Sequence, residues 1–564
     1  MDYFKTLGEL LKLEKEEDSR LYEEVTAHMP VSERRANGMS WYPVAIKDTE
    51  VGRGDYLTIE LERTSHHDIL HQFRFGQSAA LFSNHNAKQD RVEGTITYVG
   101  NNRLKISLRI DELPDWTRDG KLGVDLVFDV NSYTEMENAL KLAPVIAEKK
   151  EEGQLVRIVT GKWPLTFTKD SPSFKENRLN AQQQEAVRLI TGAQELAIVH
   201  GPPGTGKTTT LVQAIKAMWK ADQEKILVVA PSNAAVDLLS EKLAAEGLSV
   251  VRVGNPSRVS EQQVALTLDH KMANHASHKE IRRLKKQAAE YRDLAQKYKR
   301  QFGKEEREQR KALFTEARNI SKEVERLEQY ITQDILSRAQ VITATLVGSN
   351  HYSVRHLRYH TVVIDEAGQA LEPACWIPIL KARKLVMAGD HNQLPPTIKS
   401  QQAAKQGLAC TLMEKLVARY PEAVVLLEEQ YRMHQFIMQY SSGVFYENRL
   451  IAHASVAGHL LYPGDEPLVF IDTAGCGFEE KWEGTSISNP EEADFMLKQV
   501  AALIRSFREN AADQALPTIG MIAPYKHQVE LLKERQLQHE EIRSAASHVA
   551  VNTIDSFQGQ ERDV

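Results

Sequence analysis

The chain has 564 residues, of which 42% are hydrophobic and 26% are charged, and its 71 basic and 77 acidic residues give a formal net charge of −6. This composition is ordinary for a globular protein, and the length allows about three to five domains. Three widely separated cysteines argue against a disulfide framework and a four-ligand zinc site, and neither the acidic start of the chain nor any apolar run fits a signal peptide or a membrane span. We therefore expect a cytoplasmic protein with no membrane partner.

The first part of the chain predicts a helix followed by a small β-barrel. Residues 1–27 have the leucine spacing of a charged amphipathic helix. The stretches "DYLTIELE" and "VEGTITYVGNNRLKISLRI" alternate apolar and polar residues, with Asn101 and Asn102 at a predicted turn. A second helix, "NSYTEMENALKLAPV", is predicted to close this region, and the polar stretch around Pro172 is predicted to link it to the next domain.

From Leu179 onwards, short apolar runs alternate with helical patterns. The runs are "LAIVH", "ILVVA", "VVRVG", "VITATL", "TVVID", "KLVMAG", "VVLLE", "LVFID", "TIGMIAP" and "VNTID". Such alternation is typical of parallel sheets with crossover helices, and ten runs are more than one such sheet normally uses. The sequence therefore predicts an α/β fold with two parallel-sheet domains.

Residues 261–335 interrupt this alternation with two long helical patterns. Over residues 271–330 there are 17 Lys/Arg against 10 Asp/Glu, a net charge of +7 in a chain that is otherwise acidic. A solvated helical face would explain such a charge run. An arm that binds a polyanion would explain it equally well, so the residues alone leave both interpretations open.

The segment "HGPPGTGKTTT" matches the phosphate-binding pattern G-x-x-x-x-G-K-[ST] between an apolar strand and a helix. Its glycines let backbone N–H groups converge on phosphate oxygens, Lys207 would reach the β- and γ-phosphates, and the Thr208 hydroxyl would ligate Mg²⁺. The predicted nucleotide-binding residues of this loop are Gly201, Pro202, Pro203, Gly204, Thr205, Gly206, Lys207, Thr208 and Thr209.

A second motif, "TVVIDEAGQALEP", places Asp365 and Glu366 at the end of an apolar strand. Such an acidic pair behind a phosphate-binding loop suits the first residue to the Mg²⁺ shell and the second to polarising the attacking water. The two motifs therefore predict Mg²⁺-dependent hydrolysis of a nucleoside triphosphate, an activity that GTPases, transporters and many ATPases share.

Further motifs separate a motor from other nucleotide-binding proteins. They are "LNAQQQEAV", "APSNAAVD", "VITATLVGS", "DEAGQALE", "GDHNQLPPT", "LEEQYRMH", "APYKHQV" and "TIDSFQGQE". Their order resembles superfamily 1B helicases of the up-frameshift-like family, the branch that includes immunoglobulin mu-binding protein 2. The resemblance covers nearly the whole chain, and it implies a helicase core that moves 5′ to 3′ on single-stranded RNA or DNA and unwinds duplexes by ATP-driven closure of two RecA-like domains.

The resemblance also implies a domain organisation. Residues 1–27 and 131–155 would form stalk helices, 28–130 the β-barrel domain 1B, 156–260 and 336–400 the RecA-like domain 1A, 261–335 the helical insertion 1C, and 401–564 the RecA-like domain 2A. In this family the insertion favours the polyanion-arm interpretation. The family's motif VI does not follow "TIDSFQGQE", so domain 2A would be incomplete, and we expect the natural polypeptide to continue beyond Val564.

The resemblance gives roles to five more residues around the nucleotide. Gln183 would read the adenine edge with its amide, and Tyr431 would stack on the adenine face. Gln393 would sense the γ-phosphate, and Glu561 would accept from the ribose hydroxyls. Arg432 would act as an arginine finger that stabilises charge on the transferring phosphoryl group.

Strand contacts resemble those of the family as well. The residues implied are Pro231, Ser232, Asn233, Thr343, Thr345 and Thr553. Small polar groups of this kind support tracking along a nucleic-acid backbone without sequence preference. The segment "APSN" also predicts a helix cap, and both roles are compatible because a helix N-terminus needs a cap and attracts phosphate.

Two rival functions remain open at this point. A nucleotide-gated clamp would grip single strands without productive unwinding, and a protein-remodelling ATPase would not respond to single strands. The residues do not distinguish RNA from DNA, because backbone and stacking contacts are largely indifferent to the 2′-hydroxyl. We expect the protein to act as a monomer.

Overall fold

The computed structural model describes residues 3–564 except 28, 37, 52–56, 68, 70, 72, 74–76, 87–88, 101, 109, 111–112, 129, 168–173, 255–263, 297–303, 484–485 and 558. Contacts divide the chain into unit 1, comprising Met1–Gly201 and Lys207–Leu426, and unit 2, comprising Pro202–Gly206 and Leu427–Val564. In the described part of the chain, no helix has both the length and the apolar character that crossing a bilayer requires.

Unit 1 contains thirteen α-helices among its described residues. They are α1 (Tyr3–Ala27), α2 (Val31–Ala36), α3 (Val130–Ala147), α4 (Gln154–Val159), α5 (Ala181–Gly192), α6 (Lys207–Asp222), α7 (Asn233–Ala245), α8 (Leu268–Ala273), α9 (His278–Gln296), α10 (Lys304–Arg338), α11 (Glu372–Ile379), α12 (Gln401–Ala403) and α13 (Leu412–Arg419).

Six antiparallel strands close into a barrel. They are β1 (Ser40–Val51), β2 (Leu57–Arg63), β3 (Ser78–Ser83), β4 (Arg91–Val99), β5 (Arg103–Leu108) and β6 (Leu122–Leu126), and they pair in the order β1-β2-β5-β4-β3-β6. Alternate side chains such as Ile59 and Ile106 fill the interior. A register shift between Ile96 and Tyr98 buries the first and exposes the second. The predicted small β-barrel is confirmed, although Asn101 of the predicted turn lies outside the described residues.

A buried acid ties helix α1 to the backbone of Lys399 and Ser400. Glu14 is almost fully buried, and its two carboxylate oxygens accept the backbone N–H groups of Lys399 and Ser400, each at 2.8 Å. Both oxygens are therefore satisfied, which a buried carboxylate requires. Leu11 of α1 and Ala143 of α3 belong to the same apolar core, so this carboxylate fixes α1 at a packed position.

The centre of unit 1 is a parallel seven-stranded sheet. Its strands are β7 (Leu196–His200), β8 (Ile226–Ala230), β9 (Val250–Arg252), β10 (Val341–Thr345), β11 (Tyr359–Ile364), β12 (Ala382–Gly389) and β13 (Val424–Leu426), in the order β13-β7-β12-β11-β8-β10-β9. The carboxyl ends of β7, β12 and β11 lie side by side, and they are followed by Gly201, Asp390 and Asp365. This edge is where open α/β sheets bind ligands.

Strand β13 corrects one prediction. The run "VVLLE" lies in the stretch assigned to the second parallel-sheet domain, but Val424, Val425 and Leu426 pair with Ile198, Val199 and His200 of the first sheet. Apolar runs predict strands without saying which neighbour supplies the backbone hydrogen bonds.

An ion-pair network connects helix α6 to the residue that follows helix α7. Glu246 directly follows α7 and accepts from Arg178 Nη1 at 2.8 Å and from Lys216 Nζ at 2.6 Å. These hydrogen bonds lower the pKa of Glu246 to about 2, so the carboxylate stays charged well into the acid range.

Helices α8, α9 and α10 interrupt the sheet between β9 and β10. Ile281, Leu284 and Ala288 of α9 and Ile320 and Val324 of α10 are buried in one apolar core. The helical spacing seen in the sequence therefore produces one packed face on each helix. The charged residues lie on the remaining faces.

Unit 2 has a small core and short strand pairs. Its described elements are β14 (Glu429–Gln430), α14 (Gln435–Phe445), β15 (Ile451–Ala452), β16 (Lys481–Glu483), β17 (Ser486–Ser488), α15 (Pro490–Asn510), β18 (Ile519–Ala523), α16 (Lys526–Arg535), α17 (Glu540–Ser544), β19 (Val549–Thr553) and α18 (Ile554–Phe557). Strands β18 and β19 pair in parallel, and Leu497, Ile504 and Met521 are fully buried.

The predicted strand "LVFID" is wrong. Residues 468–472 have no strand conformation, and Phe470 is 90% exposed. An apolar run becomes a strand only when a neighbouring strand supplies its backbone partners, and the described residues of unit 2 supply none here. The second RecA-like sheet therefore remains a prediction, while the α/β class and the parallel sheet of unit 1 are confirmed.

Candidate active site

The phosphate-binding loop runs from the end of β7 to the start of α6. Gly204 and Gly206 have φ angles of 76° and 74°, a left-handed conformation that favours glycine. A Cβ atom at Gly201 would lie 2.9 Å from the Cβ of Lys207, so the backbone there can pass close to the lysine only without a side chain. The sequence prediction of a glycine-dependent loop agrees with this geometry.

Within unit 1, Lys207 and the two acids at the end of β11 form one cluster. Lys207 Nζ lies 2.8 Å from Glu366 Oε1 and 3.9 Å from Asp365 Oδ1. Burial alone would lower the pKa of Lys207, but the charges of Asp365 and Glu366 outweigh it and raise the pKa above its ordinary value. The lysine is therefore a cation held beside two carboxylates.

The acids differ in environment. Asp365 is buried, and burial raises its pKa to about 6 in spite of the nearby Lys207 charge. Glu366 is half-buried, has a left-handed φ of 51°, and also accepts from Gln369 Nε2 at 3.1 Å. Non-glycine residues in this conformation concentrate at functional sites. The left-handed turn thus leaves the Glu366 carboxylate half-buried, whereas the Asp365 carboxylate is buried.

The donor set fits Mg²⁺. A buried carboxylate on Asp365 and a hydroxyl on the half-buried Thr208 are hard oxygen ligands of the kind that Mg²⁺ prefers. Thr209 is exposed, on the next residue of α6. Among the described residues, Asp365 and Thr208 are the candidate Mg²⁺ ligands, and Mg²⁺ binding stays a prediction.

Gln393 belongs to a hydrogen-bonded group that the sequence did not reveal. Its Nε2 donates to Asp390 Oδ2 at 2.8 Å, and Asp390 Oδ1 lies 2.9 Å from His200 Nε2. His200 immediately precedes Gly201 of the phosphate-binding loop. Asp390 therefore connects the candidate γ-phosphate sensor to the residue before that loop, although its partners are 190 and three positions away in sequence.

Gln183 has a structural task in addition to its predicted one. Its Oε1 accepts the Asn180 backbone N–H at 3.0 Å, and Asn180 Oδ1 accepts the Gln183 backbone N–H at 2.8 Å. This reciprocal pair is a capping box at the start of α5. Contact with adenine stays a prediction.

Within unit 2, the candidate finger and the candidate ribose acceptor bind each other. Arg432 Nε lies 2.8 Å from Glu561 Oε1. Tyr431 donates its backbone N–H to the Gly204 carbonyl at 2.8 Å, and its ring lies 4.6 Å from the ring of His453. The unpredicted Gln430 is fully buried, and its Oε1 accepts the Arg432 backbone N–H at 2.8 Å, so it shapes the loop that carries both candidates.

The candidate strand contacts divide into exposed and buried groups. Pro231 is half-buried, Ser232 and Asn233 are exposed, and Ser232 Oγ accepts the Ala235 backbone N–H at 3.2 Å. The predicted helix cap at "APSN" is therefore confirmed. The exposure of Ser232 and Asn233 is compatible with the predicted strand contact, which stays a prediction.

The three threonines are less suited to strand contact. Thr343 is fully buried in β10, and its hydroxyl bonds Ser240 Oγ at 2.7 Å. This burial does not favour a direct strand contact by Thr343, which stays a prediction. Thr345 Oγ1 accepts the Gly348 backbone N–H at 3.0 Å, and Thr553 Oγ1 lies 3.0 Å from Ser556 Oγ; both are half-buried.

Comparison with known proteins identifies related chains. Two family models, each described as an AAA domain, match residues 178–401 and 408–564. An uncharacterised ATP-dependent helicase of Methanocaldococcus jannaschii is 30% identical over 531 residues, which are 86% of this chain and 76% of that protein.

Two eukaryotic relatives are longer than this chain. The DNA-binding protein SMUBP-2 of Rattus norvegicus is 36% identical over 445 residues, which are 75% of this chain and 43% of that protein. The ATP-dependent helicase upf1 of Schizosaccharomyces pombe is 31% identical over 471 residues, which are 78% of this chain and 47% of that protein. The chain thus spans less than half the length of these two relatives.

Proposed function

Because the chain belongs to the up-frameshift-like family of superfamily 1B helicases, we propose that it hydrolyses ATP to move 5′ to 3′ along single-stranded RNA or DNA and to unwind duplexes. The observation that carries the proposal is the cluster in unit 1, where Lys207 Nζ lies 2.8 Å from Glu366 and 3.9 Å from Asp365. A phosphate-binding lysine beside an acidic pair at a strand end is the arrangement that phosphoryl transfer needs.

Asp365 and Thr208 would hold Mg²⁺, which when bound would neutralise charge on the β- and γ-phosphates. Lys207 would turn from the carboxylates to the triphosphate, because both attract the same ammonium group. This movement would free Glu366 to accept a proton from the attacking water. The Glu366 carboxylate would thus contact Lys207 when no nucleotide is bound and the attacking water when ATP is bound.

The other nucleotide contacts follow the family. Gln183 and Tyr431 would hold adenine, Glu561 would hold the ribose, Gln393 would sense the γ-phosphate, and Arg432 would stabilise the transferring phosphoryl group. Residues 156–260 and 336–400, with the strand Val424–Leu426, would form one RecA-like domain, and residues 427–564 would form a second. Alternate closing and opening of these domains would drive the motor.

The strand would be held by its backbone. Exposed Ser232 and Asn233 follow β8 and would contact phosphate without reading bases. Arg282 and Lys286 are exposed on α9 and have no ion-pair partner among the described residues, which supports a role of residues 261–335 as a polyanion-binding arm. We expect a monomeric enzyme.

The test is a steady-state ATPase and unwinding comparison on matched RNA and DNA duplexes with 5′ or 3′ overhangs. The proposal expects ATPase activity that single strands stimulate and unwinding that requires a 5′ overhang. Nucleotide-dependent strand binding without unwinding would favour the clamp. ATPase activity that no single strand stimulates would overturn the nucleic-acid assignment and favour a protein-remodelling ATPase.

A further inference from the structure

Arg252 lies beneath the candidate strand-contacting segment and was not part of any predicted motif. It is the last residue of β9 and only 2% exposed. Its Nε donates to Asp237 Oδ1 at 2.8 Å, its Nη2 donates to Asn233 Oδ1 at 2.7 Å, and its Nη1 donates to the Val253 carbonyl. All three guanidinium nitrogens are bonded, and the charge has a carboxylate partner, as a buried arginine requires.

The backbone makes room for this guanidinium. Gly254 has a φ of 116°, and a Cβ atom there would lie 2.8 Å from Arg252 Nη1. A side chain at this position would press on the guanidinium, so the glycine leaves room for it. Asn233, which the guanidinium also contacts, is exposed, whereas Arg252 and Asp237 are buried.

The chemistry of arginine fixes the orientation of the Asn233 amide. A guanidinium has donors and no acceptor, so the amide atom that faces it must be the oxygen. The amide nitrogen is then held on the other branch of the same carbon. An –NH₂ group only donates hydrogen bonds, so the Asn233 –NH₂ can bind an acceptor atom of a ligand. A ligand donor placed there would find no acceptor.

We propose that Arg252 is a positioning residue that holds the Asn233 –NH₂ group outward, where it donates to a phosphate oxygen of the bound strand. The inference rests on the proposed nucleic-acid function. It adds the Asn233 –NH₂ group as the donor and Arg252 as the residue that sets the orientation of that group. Phosphate oxygens are present in RNA and DNA alike, so a donor fixed in this way suits backbone contact without sequence readout. A carboxylate at position 233 would keep the bond to Arg252 and would present an oxygen to the phosphate instead of a donor.

The orientation is tested by comparing Asn233→Ala with Asn233→Asp. Affinities for labelled oligo(dT) and oligo(U) are measured by fluorescence anisotropy over a range of salt concentrations, and Asn510→Asp serves as a control that adds the same charge on the exposed surface of α15. Loss of one donor to a charged phosphate should weaken binding roughly tenfold in Asn233→Ala. Asn233→Asp should be weaker still, by a further factor of about three or more, because the added carboxylate repels phosphate. Asn510→Asp should bind like the wild type.

Equal affinities of Asn233→Ala and Asn233→Asp would overturn the outward-donor orientation. Wild-type affinity in both variants would overturn the contact itself. Failure of the wild-type chain to bind either oligonucleotide would refute the proposed function, which is a different result from a wild type that binds and variants that do not differ.

The role of Arg252 is tested with Arg252→Lys, alone and combined with Asn233→Ala. Lysine keeps a positive charge near Asp237 but lacks the planar fork that reaches both partners. We expect Arg252→Lys to weaken strand binding about as much as Asn233→Ala, with little further loss in the double variant and with unchanged strand-independent ATPase activity. Full affinity of a folded Arg252→Lys would refute the positioning role. If thermal melting shows that Arg252→Lys does not fold, the Asn233 pair still decides the orientation.

Discussion

Replacement of Glu366 by glutamine should separate nucleotide binding from hydrolysis. Glutamine keeps an oxygen that can accept from Lys207 Nζ, now 2.8 Å from Glu366 Oε1, and Asp365 remains 3.9 Å from the same nitrogen. The lysine therefore keeps an acceptor and one carboxylate, and nucleotide affinity should change little. Glutamine cannot take a proton from water, so hydrolysis should slow by on the order of 10²- to 10⁴-fold, or about 3 to 5 kcal/mol in the activation barrier.

A fluorescent ATP analogue measures affinity, and single-turnover hydrolysis with excess enzyme measures the chemical step without product release. Lys207→Ala is the contrasting variant, because loss of the ammonium that faces the triphosphate should weaken binding itself. A Glu366→Gln enzyme that hydrolyses ATP within about threefold of the wild-type rate would refute the assignment of Glu366 as the general base. Unchanged affinity in Lys207→Ala would refute the role of the lysine.

Three further predictions concern helix α1, the α6–α7 ion pairs and helix α9. Glu14→Ala should lower the free energy of unfolding by about 2 to 4 kcal/mol in urea titrations, because it removes the acceptors of the Lys399 and Ser400 backbone N–H groups, of which the second is buried. Glu14→Gln should lose less. The pKa of Glu246 is lowered to about 2, so the stabilisation that its charge provides is present above the unfolded pKa of about 4.3 and fades as pH falls towards 2. Glu246→Gln should therefore lower the free energy of unfolding by about 1 kcal/mol at pH 7 and by progressively less below pH 4. A difference in unfolding free energy that does not change with pH would contradict this. Arg282→Gln with Lys286→Gln should make the salt dependence of strand binding shallower by about 0.7 per lost phosphate contact, and an unchanged slope would mean that this face is only solvated surface.

The sequence could predict the features that depend on local pattern. The glycines of the phosphate-binding loop require positive φ angles or close approach, and these needs are visible in the motif itself. The alternation of apolar residues likewise predicted the barrel. Tyr98 departs from this alternation because a bulge shifts the register by one residue. Since side chains alternate between the two faces of a strand, a shift of one residue moves a side chain to the opposite face.

The errors and omissions have a common physical cause. Thr343 lies on a strand as expected, but its exposure depends on helix α7, which contributes Ser240 to its hydroxyl. The sheet of Val424 depends on its partner Ile198, more than 200 positions earlier. Asp390 binds His200, which is distant in sequence. Arg252 binds Asp237, and no sequence motif connects these two residues. Their roles come from tertiary packing, which a single sequence does not display.

The bond that Arg432 makes within unit 2 is compatible with the arginine-finger role proposed for it. The bond of Arg432 to Glu561 involves a carboxylate that is 66% exposed, and exposed ion pairs contribute only about 0 to 1 kcal/mol. Gln430 is fully buried and holds the backbone of the same loop through the N–H groups of Arg432 and Met433. The loop is therefore fixed while the guanidinium is only weakly held. Under the proposed mechanism, a bound triphosphate would compete for the side chain without unfolding the loop, because a phosphate group offers more negative charge and more acceptor oxygens than the carboxylate that it would replace. Glu561 would then be released for a ribose hydroxyl, so the two roles assigned by family resemblance can follow from a single exchange of partners.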